Sequence, residues 1–229
     1  MRTALLMAAA AAALTQPPVL RARLDHLVVG VPRLDAGIAS FERMTGVTAA
    51  RGGQHPRRGT ENALVSLGVG RYLELMAPRA DATRSPELDE LRALEQPTIV
   101  AWAVAVSDMA AARQAIAGVG VTLGADTPGS RVTPSGATLE WTTADISAPQ
   151  IAGTPFFIRW SAATEHPSTT APTGCTLAAL QVEDPAAAEL SRVLNALRVS
   201  GVTVRRGEAR ITAALKCPKG LVRIVSRSG

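Results

Sequence analysis

Short apolar runs alternate with amphipathic stretches along this chain, and the alternation repeats. Leu24-Asp25-His26-Leu27-Val28-Val29-Gly30-Val31 is echoed by Val100-Ala101-Trp102-Ala103-Val104-Ala105-Val106, about 75 residues later, a spacing that marks an internal duplication. Each run is apolar and β-branched and reads as a buried strand. A polar break and a helical stretch follow, over residues 33–45 and 108–117. Gly46 and Gly118 stand where a helix end favours glycine. Val47-Thr48 and Val121-Thr122-Leu123 then open second strands, and two further apolar strands complete each unit. The predicted order is β-α-β-β-β, twice.

A third unit of that order is predicted beyond them. Residues 175–182 read as a strand and 185–198 as an amphipathic helix, with Asp184 as its cap and Pro185 at its first position. Three short strands follow, over 202–204, 211–215 and 221–225. The expected organisation is an N-terminal extension over 1–20, a domain over 21–168 built from modules 24–78 and 98–161, and a third module over 173–229. The fold class is α+β.

With 229 residues, 47% of them hydrophobic, the chain is long enough to bury a substantial core. Its formal charge of +5 is almost all arginine and scattered, and only 3% of residues are aromatic. That combination offers no basic stacking platform, so nucleic acid is not an expected partner. Met1-Arg2 followed by the alanine-rich run to Leu14 has the layout of a secretory signal peptide, too short to span a bilayer. Export to a periplasmic or extracellular space is one reading, and a cytoplasmic chain with an N-terminal extension the other. No later stretch predicts a membrane span. Cys175 and Cys217 both fall in the third module, either as a disulfide staple or as two small buried side chains.

Two ionisable groups interrupt the apolar strands of the first module. Strand alternation puts His26 on a face with Val28 and Gly30, and Glu74 on a face with Tyr72 and Met76. A buried carboxylate needs a cation, a hydrogen-bond donor or a metal. A His–Glu hydrogen bond inside the sheet is the plain reading, and a reactive centre the functional one.

Several motifs together resemble the glyoxalase-like domain family of the vicinal-oxygen-chelate superfamily. They are the leading Leu-Asp-His-Leu-Val-Val-Gly-Val strand, Phe41 in the following helix, and Tyr72-Leu73-Glu74-Leu75-Met76-Ala77-Pro78. The stretch from Gly52 to Leu64, Ser130-Arg131 with Gly136, Leu139 and Trp141, and Pro155 to Trp160 with His166-Pro167 complete the set. The resemblance implies two βαβββ modules curled into a half-barrel around a concave pocket. It also implies one divalent metal (zinc, iron, manganese or nickel), with ligands from the first and last strands of each module. His26 and Glu74 match the ligand positions of the first module. The second departs from the pattern, with Ala101 at one position and Ile158 or Arg159 at the other. His55, in the glycine-rich loop, or His166, in a loop after the last strand and the preferred third ligand, is the candidate to complete a two-histidine, one-carboxylate set.

His55, on a glycine-rich basic loop, and Glu61 are the candidate proton shuttles. Arg131, Arg159, Asn62 and Trp160 are the candidate substrate contacts. Arg159 has three readings: a fork for an anionic ligand, a partner for Glu74, or a solvent-facing side chain. Trp102, Trp141 and Trp160 are either pocket lining or core. Two functions compete. One is a small-molecule lyase, isomerase or dioxygenase-like enzyme acting on an anionic carbonyl or enolate substrate. The other is a binding protein of the same superfamily that holds a ligand without metal or chemistry. The third module is expected either to pack beside the first two or to pair with another copy of itself in a homodimer.

Overall fold

The computed structural model describes residues 20–227; the N-terminal segment read as a leader lies outside them except for its last position. The first module runs β1 (Ala22–Gly30), α1 (Leu34–Thr45), β2 (Ala50–His55), β3 (Thr60–Ser66) and β4 (Tyr72–Pro78). A short helix, α2 (Pro86–Arg92), leads to the second. That module comprises β5 (Thr98–Val106), α3 (Met109–Ala117), β6 (Thr122–Leu123), β7 (Thr127–Val132), β8 (Thr138–Ala144), β9 (Ile146–Ala148) and β10 (Phe156–Trp160). After the single turn α4 (Pro167–Thr170) come β11 (Thr176–Glu183), α5 (Ala187–Ala196), β12 (Thr203–Arg205), β13 (Arg210–Cys217) and β14 (Gly220–Val225).

The first two modules share one eight-stranded sheet of order β2-β3-β4-β1-β5-β10-β8-β7. Their opening strands meet antiparallel at its centre, and each pairs in parallel with the last strand of its own module, β1 with β4 and β5 with β10. The duplicated sequence thus becomes a duplicated wiring. Seven consecutive positions of β1 are buried, because helices cover one face of the strand and the concave side of the sheet encloses the other. The edge strands β2 and β7 come close enough for Arg131 Nη1 to donate to the Gly52 carbonyl and Arg57 Nη1 to that of Pro128. The sheet is therefore nearly closed into a barrel.

Helix ends explain two departures from the predicted pattern. Gly46 is left-handed (φ 80°) and its N–H closes on Glu42, as a C-cap glycine should. Gly118 instead keeps helical angles, and the left-handed turn falls at Gly120 (φ 80°). Asp108 caps α3 through the Ala111 N–H at 2.9 Å, whereas Asp184 sits ahead of α5, accepting from Ala186 and from Gly153 in the second module.

The third module keeps the predicted element order but not the wiring. Its opening strand β11 lies inside the sheet, between β12 and β13, in the order β12-β11-β13-β14. It is not a third copy of the half-barrel unit. Its apolar face joins the main core, where Phe41, Trp102, Phe157, Leu180, Leu190 and Leu215 belong to one cluster. A Cys175–Cys217 disulfide ties the start of β11 to the end of β13.

Candidate functional site

The concave face of the sheet encloses a cavity of about 560 Å³. Its chemistry starts from an irregularity in β1. Pairing with β5 steps from Leu24↔Val104 to His26↔Ala103, so Asp25 is the extra residue of a bulge. Regular alternation would send Asp25 and His26 to opposite faces; the bulge brings their side chains together, Oδ2 to Nδ1 at 2.8 Å. Asp25 is fully buried. Its Oδ2 also accepts from Trp160 Nε1 at 3.2 Å, and its Oδ1 contacts His166 Nε2 at 2.9 Å. Burial works against the charge of Asp25, but the bonds from His166 and His26 outweigh it and hold the carboxyl well below the usual carboxylate range.

An ionised Asp25 only accepts hydrogen bonds, so Nδ1 of His26 is the donor to it, and Nε2 is the ring nitrogen turned toward Glu74. The His26 ring lies flat on Tyr72, centroids 4.4 Å apart, with Phe156 edge-on at 5.3 Å. Glu74 faces it, with Oε2 at 3.9 Å from His26 Nε2. Glu74 Oε1 accepts from Asn62 Nδ2 at 2.7 Å and lies 3.9 Å from His55 Nε2. Burial disfavours the Glu74 charge, but His55, His26, the Asn62 bond and Arg131 together keep its carboxyl below the ordinary value. His55 is lowered, first by burial and then by Arg131 and Arg58, against the pull of Glu74. Tyr72 is pushed up by burial and by the Glu74 and Asp25 charges, so it keeps its proton.

Arg131 enters from the opposite edge, on β7. It is only 5% exposed, lines the cavity, and donates to Gly52 O. The strands nearest β1 contribute carbon to that wall, Ala101 on β5 with Phe156 and Ile158 on β10, beside the rings of Trp141 and Trp160; Thr127, Ser130, Thr143 and Asp145 add polar groups toward the β7–β8 edge. Trp102 is core instead, with Nε1 donating to Gly153 O at 2.9 Å.

Of the residues singled out by sequence, His26, His55, Asn62, Glu74, Arg131 and Trp160 line this one cavity. Three others do not. Glu61 projects from β3 on the face opposite Asn62 and pairs with Arg51 at 3.5 Å, so it is not positioned as a shuttle. Arg159 is exposed on β10, while its neighbour Ile158 faces the cavity. His166, the expected third ligand, has both ring nitrogens engaged: Nδ1 accepts from the Ser168 N–H at 3.2 Å, so Nε2 bears the hydrogen given to Asp25. It braces the carboxylate that holds His26 and is not free to bind a metal. Asp25 itself was hidden by the assumption of strict alternation. The signal for it was a carboxylate beside a histidine in an otherwise apolar strand, where neither face tolerates an unpaired charge.

The donors present do not fit the superfamily's metal centre. Such a centre needs donors from both modules, and the second offers an alanine and an isoleucine. Among the described residues, no three His, Cys, Asp or Glu side chains converge as metal ligands do. The arrangement that does exist is an acid–base one: an oriented imidazole, a carboxylate facing it, a protonated phenol and a buried guanidinium.

Three comparisons bear on ancestry. The profile of a glyoxalase-like domain matches residues 24–198. A solved structure of a hypothetical protein from Staphylococcus aureus is similar over 91% of this chain and 86% of its own, with 15% identity and a TM-score of 0.61. Methylmalonyl-CoA epimerase from Mycobacterium tuberculosis is similar over 60% of this chain and 85% of its own, with 24% identity and a TM-score of 0.43. Among curated proteins no relative matches.

Proposed function

The chain belongs to the glyoxalase-like domain family, and we propose that it is a small-molecule enzyme moving a proton at a carbon beside a carbonyl, an isomerase- or lyase-type reaction run by its own side chains. The observation that supports this most is the Asp25–His26 pair, with the free Nε2 of His26 turned toward Glu74 in the cavity. A general base needs an unprotonated atom within reach of the substrate and a neighbour that favours its protonated form. His26 has both: Asp25 fixes the tautomer, and Asp25 and Glu74 flank the imidazolium that forms. The substrate C–H bond breaks, its proton goes to Nε2, and the electron pair passes to the carbonyl oxygen as an enolate. Tyr72 and His55 are the hydrogen-bond donors at hand for that oxygen, and Arg131 holds an anionic group of the substrate. Return of the proton to the same face regenerates the substrate with any solvent label, delivery of a proton to the opposite face of that carbon gives the isomer, and departure of a leaving group with its electron pair from the next carbon gives the lyase outcome.

Proton NMR in D2O tests this, with a panel of 2-oxo and 3-oxo carboxylates as probes. Enzyme-dependent deuterium uptake at the carbon beside the carbonyl, lost in His26→Asn, is the expected result. Binding of such compounds with no exchange above buffer would reject the enzyme and leave the second reading. The alanine and isoleucine at the second module's ligand positions favour that reading: a carrier that holds its ligand unchanged.

A further inference from the structure

We infer that the molecule taken up by this cavity is a carboxylate with an apolar body, an aryl or branched-alkyl acid. Arg131 takes its charged end, and the second-module wall takes its carbon frame. The inference builds on the acid–base reading above but concerns recognition, not chemistry. Arg131 is 95% removed from solvent, and its one hydrogen bond among the described residues goes to the carbonyl of Gly52. Glu74 is near enough for its charge to be felt at Arg131, yet the two form no ion pair. Its other N–H groups are not among the buried, partnerless atoms of the described residues, so on the cavity side they are open to an anion that completes the fork. Arg57 and Arg58 also line the cavity but are exposed; Arg131 is the buried one, and one such group pairs with the single charge of a carboxylate.

The apolar half of the argument comes from the positions that carry no polar atom. Ala101 and Ile158 form a carbon floor bounded by Phe156 and Trp141. Those two rings stand edge-on to the acid–base histidines, Phe156 at 5.3 Å from His26 and Trp141 at 5.9 Å from His55. A body lying on this floor therefore presents its adjoining carbon to His26, while a fully polar substrate would leave the floor desolvated without gain.

Isothermal titration of the full chain with three probes tests the inference: 3-phenylpropanoate, propanoate, which lacks the body, and 3-phenylpropanamide, which lacks the charge. 3-Phenylpropanoate should bind tighter than either by roughly tenfold or more, the scale of one buried ring or one charge-assisted hydrogen bond. Arg131→Gln should erase the preference over the amide, Arg131→Lys should keep part of it, and Phe156→Ala should erode only the preference over propanoate. Equal binding of the amide or of propanoate would overturn the inference, as would no binding of 3-phenylpropanoate on the order of millimolar concentration. The wild-type ranking decides even if an Arg131 variant fails to fold. None of the probes carries a ketone, so this outcome is independent of exchange; exchange lost with the ranking intact would reject the proposed reaction alone.

Discussion

The two walls of the half-barrel have the same wiring and opposite chemistry. β1 and β4 present His26 and Glu74, with Asn62 and His55 alongside; β5 and β10 present Ala101, Phe156 and Ile158 at the facing positions. Duplication fixed where side chains point, not what they are. A symmetric site with donors on both walls would suit an ion at its centre. In the function proposed above, the asymmetric one has its reactive side on the first wall and its binding side on the second, which suits a molecule with a polar and an apolar end.

The largest effect should come from breaking the reactive side at its centre. His26→Asn keeps a polar group of similar shape but has no basic nitrogen. Deuterium exchange should fall by roughly 10²- to 10⁴-fold, the usual worth of a general base, while 3-phenylpropanoate binding changes by less than about threefold, within one weak contact. Exchange surviving in this variant would move the base to Glu74. The converse experiment makes the walls alike. Ala101→His with Ile158→Glu supplies the missing donors, and elemental analysis after dialysis against zinc should find about one equivalent in the variant and far less in the wild type. One equivalent in the wild type would restore the metal reading.

Asp25 separates the walls at a deeper level, because it reaches both. It takes hydrogen bonds from His26 on the first and from Trp160 on the second, with His166 closing the group. Asp25→Asn turns one acceptor into an N–H donor that must face another donor. Urea unfolding should show a loss of about 2–4 kcal/mol, the scale for removing one partner from a buried, charge-assisted group. Exchange should fall with it, since the His26 tautomer is no longer fixed. A stability loss with an unchanged pH–rate profile would reduce Asp25 to a structural part.

Much of this was legible in the chain. The repeat at Leu24 and Val100 predicted the duplicated modules, and the Tyr-Leu-Glu-Leu strand put Glu74 on the face where it lies. What was not legible depended on long-range geometry. The Asp25 bulge exists because β1 pairs with β5, some 80 residues on, and no local pattern encodes that register. Alternation did carry the information that separates Glu61 from Asn62 and Ile158 from Arg159, but only once the register of each strand was known. His166 was found as a histidine near the site; its role turned on the Ser168 N–H, a backbone contact invisible in a residue list. The third module shows the same limit, since one element order fits two strand orders.

The smallest predicted effect is a pH signature of the reactive wall. His55 has its folded pKa below the unfolded value of about 6.5, so the unfolded chain takes up that proton first as the pH falls. Its contribution to stability is complete above that value and declines below it, by at most about 1.4 kcal/mol per pH unit for one proton. Asp25 and Glu74 are also held below their unfolded values; what they contribute is present above about pH 4 and is lost as the pH falls further. Unfolding free energy measured from pH 8 to pH 3 should therefore decline in two windows. His55→Gln should flatten the upper window and leave the lower, whereas Glu74→Gln should shrink the lower. It should also remove the opposing pull on His55 and so deepen the upper. An apolar substitution of similar size at Ala101 or Ile158 should touch neither window, because neither position titrates and the burial of the first wall is kept.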